Sequence, residues 1–267
     1  MPLLSAILVM AAMAWPPAPL PNGIDLPALY AEEVRERLVI PDDEINRYAA
    51  LLHAALLSAD LGTLPPQFFV LADRDPRVQA VMVWWKSPDG SYQLVGASPA
   101  STGRGGSYDH FLTPLGVFEH GQADFRAEGS RNALGVRGYG SAGLRVYDFG
   151  WQLGQRTWGR GGSSAMRLQM HSTDPELLEP RIGSAQSKGC IRIPASLNRF
   201  LDHYGILDAP YEPSVAAGAM PWVLAPDRDP LPWAGRYLVI VDSARSERPE
   251  WSPRPREGTS AGPPAAP

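Results

Sequence analysis

Proline and glycine punctuate this chain throughout, 28 of the former and 26 of the latter among 267 residues. Proline removes a backbone donor and breaks helix interiors, and glycine loses more conformational entropy on folding than any other residue. A chain so interrupted is built from short elements joined by turns and long loops, which suits a β-rich fold better than a helical bundle. Its 44% apolar content is ample for a sizeable core. The net charge is −4, and no lysine or arginine cluster stands out. Nucleic-acid binders carry a basic footprint, so no nucleic-acid partner is expected.

Residues 1–18 read as a signal-like apolar segment. An apolar stretch runs from Leu3 to Ala14, and Ala12-Met13-Ala14 has the small-x-small form of a cleavage site, although no positive charge precedes it. The stretch is shorter than the about 20 residues that cross a bilayer. Nothing later is long and apolar enough to do so. The expectation is export to the periplasm or cell envelope, with no stable membrane span.

Residues 25–65 read as a helical preamble. Asp25 is placed to cap a helix over Pro27–Leu38. A second helix over Pro41–Ser58 opens on Asp42, Asp43 and Glu44, and it sets Ile45, Tyr48, Leu52 and Leu56 on one face. The main domain is expected over residues 66–243. Val78–Trp85 and Ser91–Ala97 make a hairpin across Ser87-Pro88-Asp89-Gly90. Phe111–Glu119 is a turn running into a short strand. Residues 120–165, dense in glycine and aromatics, suit an irregular connection or a lid. Arg167–Met170 is a strand that delivers His171, Ala195–Tyr204 a short helix between Pro194 and Gly205, and Tyr237–Val241 a last strand. Residues 244–267, rich in arginine, proline, serine and glycine, are expected to be disordered.

Chemistry concentrates at Cys190, the one cysteine of the chain. A single thiol closes no intrachain disulfide, which leaves a packed core thiol or a nucleophile. A thiol attacks a carbonyl effectively as thiolate, so it needs a base or a positive field, and donors for the oxyanion that develops. His171 is the candidate base. Gly189 lets the backbone turn tightly, so that N–H groups of Cys190 and of Gly189 or Lys188 can converge on one oxygen. Lys188 favours the thiolate if its ammonium turns inward; a solvated surface lysine is the competing reading. Arg192, two residues beyond Cys190 and on its side of an extended segment, can grip a substrate carboxylate, with a structural ion pair as the alternative. Ser187 and Ser172 are neighbouring hydroxyls for substrate or imidazole, and local turn bonding competes for each. His53, His110, His120 and His203 show no metal-ligand spacing, so no metal is expected.

These motifs together resemble the L,D-transpeptidases of the YkuD-like type, which remodel bacterial peptidoglycan. That family carries a histidine, a gap of some fifteen residues, then Ser/Thr-His-Gly-Cys, an apolar residue and Asn or Arg. Here fifteen residues separate His171 from Ser187-Lys188-Gly189-Cys190-Ile191-Arg192. The hairpin from Val78, Ser101-Thr102-Gly103, Thr113-Pro114-Leu115-Gly116, the helix after Arg192 and the strand Tyr237–Val241 are similar too, so the resemblance covers roughly residues 75–243. Two positions depart from the family: Lys188 replaces a histidine, and Ser172 follows His171 where many relatives have glycine.

The resemblance implies a mainly β fold, a sandwich or open barrel with a short helix after the cysteine. It implies two-step acyl transfer: Cys190 attacks the carbonyl of a diamino acid L-centre that precedes a terminal D-alanine, His171 moves the proton, and a thioester forms. A second stem peptide then resolves it, so donor and acceptor stem peptides are the partners and no cofactor is needed. Two alternatives stand. One is hydrolysis of the same bond, as an L,D-carboxypeptidase or an amidase. The other is a catalytically weak wall-binding pseudoenzyme, for which Lys188 is the support.

Overall fold

Three apolar runs, at residues 67–73, 80–86 and 237–241, are buried at every position. Strands read this way when both faces of a sheet are covered. They form β1 (Gln67–Asp73), β2 (Ala80–Lys86) and, late in the chain, the strand that ends the fold. The computed structural model describes residues 23–255. Ahead of β1 lie α1 (Leu26–Glu33) and α2 (Asp42–Ser58). After β2 come β3 (Tyr92–Pro99), β4 (Phe111–Leu112), β5 (Gly116–Glu119), β6 (Phe125–Arg126), β7 (Arg145–Arg156) and β8 (Ser163–His171). A 3-10 turn at Glu179–Arg181 leads to β9 (Ile191–Arg192), α3 (Ala195–His203), α4 (Glu212–Ala216) and β10 (Tyr237–Val241).

The architecture is mixed α/β with two mixed sheets. The first has the order β3-β2-β1-β10-β5, with β1 and β10 parallel. The second has the order β4-β7-β8-β9, with β6 added on β7 and with β8 and β9 parallel. Alternation sorts the side chains of the first sheet. Phe68, Val70, Val83, Leu238 and Ile240 face a core shared with Phe149, Leu168, Met170 and Ile191 of the second sheet. Phe69, Leu71, Met82, Trp84 and Val239 face the other way, onto Tyr48, Leu52 and Leu56 of α2. The layers therefore run α2, first sheet, core, second sheet. α2 is thus a layer of the same body, covering a sheet face that is otherwise bare.

Several local expectations shift. Asp25 does cap α1, accepting from the Ala28 N–H at 3.0 Å, but the helix ends at Glu33 and not Leu38. Beyond it the Leu38 N–H donates to the Ala97 carbonyl, so β3 captures the backbone. β1 was not anticipated as a strand, and it is central. Residues 120–165 are no mere connection, because they contain β7, the longest strand. A bulge between Asp148 and Trp151 breaks its alternation. The segment after Ser243, expected to be disordered, is docked through residue 253. Arg245 pairs with Glu44, Trp251 packs edge-on against Tyr48, and Ser252 is buried. The signal-like residues 1–18 and the end of the tail lie outside the described residues. Among the described residues, no helix is long and apolar enough to cross a membrane.

A buried ionic cluster anchors the start of β7. Arg145 is fully buried, with Nε 2.7 Å from Asp124 and Nη1 2.6 Å from Asp208 and 3.3 Å from Asp202. Asp124 also meets His120 Nε2 at 2.7 Å and accepts from the Asp148 N–H at 2.9 Å. The cluster thus joins β7, α3 and the loop before α4 behind the strand that carries Asp148.

Candidate active site

The parallel register of β8 and β9 sets Met170 beside Ile191 and His171 beside Arg192. Met170 and Ile191 belong to the core, so His171 and Arg192 lie on the opposite, outer face. Cys190, one residue before β9, shares the parity of Arg192 and falls opposite Gln169. The imidazole and the thiol are thus diagonal neighbours on one sheet face. They are not bonded to each other. The Cys190 thiol donates to the Arg167 carbonyl at 3.7 Å, and the Gln169 N–H points at the sulfur.

His171 Nδ1 bonds the Ser172 carbonyl, which assigns the N–H to Nδ1 and leaves Nε2 as the proton acceptor. The backbone oxygen of Ser172, not its hydroxyl, orients the ring. The Ser172 Oγ is buried and has no hydrogen-bond partner among the described residues. The Tyr139 ring stands edge-on to the imidazole at 4.8 Å, and its hydroxyl donates to Gln169 Oε1 at 3.1 Å. Burial, followed by the charges of Cys190 and Asp148, pushes the Tyr139 phenol up. Asp148 in turn takes both carboxylate oxygens to Arg167 Nε, at 2.9 and 2.8 Å, and accepts from Gln169 Nε2 at 3.0 Å. Asp148, Arg167 and Gln169 were not singled out from the sequence. The two-residue spacing of Arg167, Gln169 and His171 along one strand was the available signal.

Burial lowers His171 to about 4, with the Arg192 charge adding to it against the Ser172 bond. Burial raises the Cys190 thiol, against the Gln169 N–H and the Arg192 charge. At neutral pH the resting pair is therefore a neutral imidazole and a thiol. His171 also makes folding pH-dependent. Its folded value lies below its ordinary one, so its contribution is complete above about 6.5 and is lost as pH falls toward 4. Between pH 7 and pH 4 the wild type should lose about 3 kcal/mol relative to His171→Gln in denaturant unfolding. Glu179, raised to about 7 by burial and by Glu36, titrates in this window with the opposite sign, which is why the difference is measured. An equal gap at both pH values contradicts the assignment.

The loop that carries the thiol is held by backbone bonds. Ser187 Oγ donates to the Cys190 carbonyl at 2.5 Å and accepts from the Gly189 N–H at 3.0 Å. Ser187 is thus a buried turn staple, the local bonding that competed with a substrate role for it, and the Gly189 N–H, one of the expected oxyanion donors, is taken up by this bond. Among the described residues the N–H groups of Lys188 and Cys190 carry no hydrogen bond, and they remain the candidate donors. Gly189 matters for another reason. Its φ is +133°, and a Cβ there would lie 2.7 Å from Met166 Cε.

Lys188 turns outward, to Asp109 at 2.8 Å on the exposed rim, so it neither contacts the cleft nor polarises the thiol. Thr113 ties the two short motifs to this loop, because its Oγ1 accepts from the Gly103 N–H and donates to the Gly189 carbonyl, each at 2.8 Å. Ser101 exchanges backbone bonds with Arg192 at 3.0 and 2.9 Å. A Cβ on Gly103 would lie 2.0 Å from the Phe111 carbonyl oxygen. Gly103→Ala should therefore cost about 3 kcal/mol of stability and raise the reactivity of Cys190 toward a thiol reagent, as thermal unfolding and labelling rates will record.

Arg192, by contrast, forms no ion pair and no side-chain hydrogen bond among the described residues, and burial lowers its guanidinium from its ordinary value. Cys190 is partly exposed. Among the described residues no group of three or more His, Cys, Asp or Glu side chains is arranged to hold a metal ion. No protein-family model and no curated protein matches this chain.

Proposed function

We propose that this protein is an exported cysteine acyltransferase of the L,D-transpeptidase kind, acting on peptidoglycan stem peptides. The observation that carries the reading is the β8–β9 register. It sets a tautomerically fixed imidazole and a partly exposed thiol on one outer face, beside the Arg192 guanidinium.

The resting pair is neutral, so the base acts during attack. A turn of the Cys190 side chain brings its proton from the Arg167 carbonyl to His171 Nε2. The sulfur bonds to the donor carbonyl carbon as the proton moves to the imidazole. The N–H groups of Cys190 and Lys188 hold the oxyanion. The intermediate collapses to a thioester, and the departing D-alanine amine takes the proton from His171. An acceptor amine then attacks the thioester, gives its proton to His171, and the thiol is restored.

Incubation with muropeptides, with products identified by mass, tests the reading. Cross-linked dimers that vanish in Cys190→Ala are expected. Tripeptides alone indicate hydrolysis, and no product from the wild type sinks the enzymatic reading.

A further inference from the structure

The side chain of Gln169 joins the ionic and the aromatic surroundings of His171. It lies on β8 two residues before His171, so both project from one face of the strand, and it pairs across the register with Asp148 of β7. It is buried. Its Nε2 donates to Asp148 Oδ2 at 3.0 Å, and its Oε1 accepts from the Tyr139 hydroxyl at 3.1 Å. These two bonds fix its direction. Asp148, paired with Arg167 Nε through both oxygens, can only accept, so the amide nitrogen must face it. The amide oxygen is left for Tyr139, whose hydroxyl must donate.

Tyr139 is held from more than one side. Its ring meets Phe125 at 5.2 Å and the imidazole at 4.8 Å, both edge-on. The next residue, Gly140, has a φ of +86° and packs so closely that a Cβ there would lie 3.0 Å from the Ser172 Cβ. Tyr139 thus covers an imidazole that is 5% exposed, while being 40% exposed itself. The bond from His171 Nδ1 to the Ser172 carbonyl anchors one atom of the imidazole. A ring anchored at one atom can still swing, because the χ2 well of histidine is broad. An aromatic ring packed against it removes that freedom.

We infer that Gln169 is a positioning residue for the His171–Cys190 pair: its amide ties Tyr139 to the Asp148–Arg167 ion pair, and the ring so held keeps the imidazole turned to serve the thiol. The use of that pair in acyl transfer rests on the reading above; the positioning rests on the contacts of Gln169 and Tyr139. Without the amide, the Tyr139 hydroxyl loses its partner, the ring is tethered by packing alone, and the imidazole regains its swing.

The test follows alkylation of the full-length protein by iodoacetamide at neutral pH, read as intact mass. Cys190 is the one cysteine, so the rate reports on it alone. The resting thiol keeps its proton, so alkylation draws on His171 as base. Gln169→Met removes both amide bonds at similar volume and leaves the backbone N–H of this position facing the sulfur. Tyr139→Phe removes the same hydrogen bond from its other end and keeps the ring; it carries the test alone if Gln169→Met does not fold. Each should slow alkylation about tenfold. In a His171→Gln background neither should change the rate, because a residue that acts through the imidazole has nothing left to position. A merely structural defect slows both backgrounds equally. That result, or wild-type rates in the variants, overturns the proposal. A His171-dependent loss in a protein that yields no muropeptide product keeps the positioning role and sinks the acyl-transfer reading. Cross-linking at the wild-type rate in Gln169→Met, with alkylation unchanged, does the reverse.

Discussion

Cys190→Ala should abolish thioester formation, and His171→Ala should lower kcat/KM with a stem-peptide donor by about 10²–10⁴-fold. The nucleophile has no substitute: no other cysteine exists, and Ser187 is locked to the Cys190 carbonyl and the Gly189 N–H. The base loss is large because the resting thiol lies above its ordinary value, so the attacking species has to be made by proton transfer. The two residues act as a unit, so the double variant should be no slower than Cys190→Ala alone. Because His171 sits near 4 in the free enzyme, the acid limb of kcat/KM should fall there and not near 6.5. Intact-protein mass after donor addition, together with initial rates across pH, checks all of this. An acyl adduct on Cys190→Ala, or a His171→Ala enzyme retaining half its rate, removes the basis for the mechanism.

Arg145→Met should destabilise the fold by about 3–5 kcal/mol, the largest loss expected of any single substitution away from the cleft. The methionine fills similar volume, but it leaves Asp124, Asp202 and Asp208 facing one another with a buried cation removed. The cation–π contacts of Arg145 with Tyr147 and Tyr211, at 4.8 and 5.1 Å, go as well. Arg126 touches the same Asp202 from a partly exposed position, so Arg126→Met should cost about 1 kcal/mol or less. Denaturant unfolding of both variants separates a buried charge from a peripheral one. Equal losses would mean that the cluster is not a unit. Since Asp124 also holds the Asp148 N–H, Arg145→Met should in addition loosen the Arg167 and Gln169 contacts behind the thiol.

What was legible before folding was local in its physics. The hairpin around Ser87-Pro88-Asp89-Gly90 was readable because turn chemistry sits between two apolar runs. The helix after Pro194 and the strand Tyr237–Val241 appear within a residue of where periodicity places them. β7 was not readable, because Gly150 and the bulge after Asp148 interrupt its alternation and much of its outer face is polar. β1 was passed over although Phe68-Phe69-Val70-Leu71 is a strong strand run, since its role depends on β10, more than 160 residues away. The tail past Ser243 had the composition of disorder, yet Arg245 and Trp251 find Glu44 and Tyr48 on α2, partners that composition does not register.

Sequence alone determined which atoms are available: one sulfur, a histidine at fixed spacing before it, a glycine beside it, and an arginine two residues on. Residue identity and short-range spacing are covalent facts and survive without a fold. Tertiary structure decided how those atoms are used. It spent the Gly189 N–H on Ser187, sent Lys188 out to Asp109, and gave the imidazole to the Ser172 carbonyl. Hydrogen bonds and ion pairs are settled by which groups strand register brings within reach, and that register is fixed by apolar burial on the far side of the sheet.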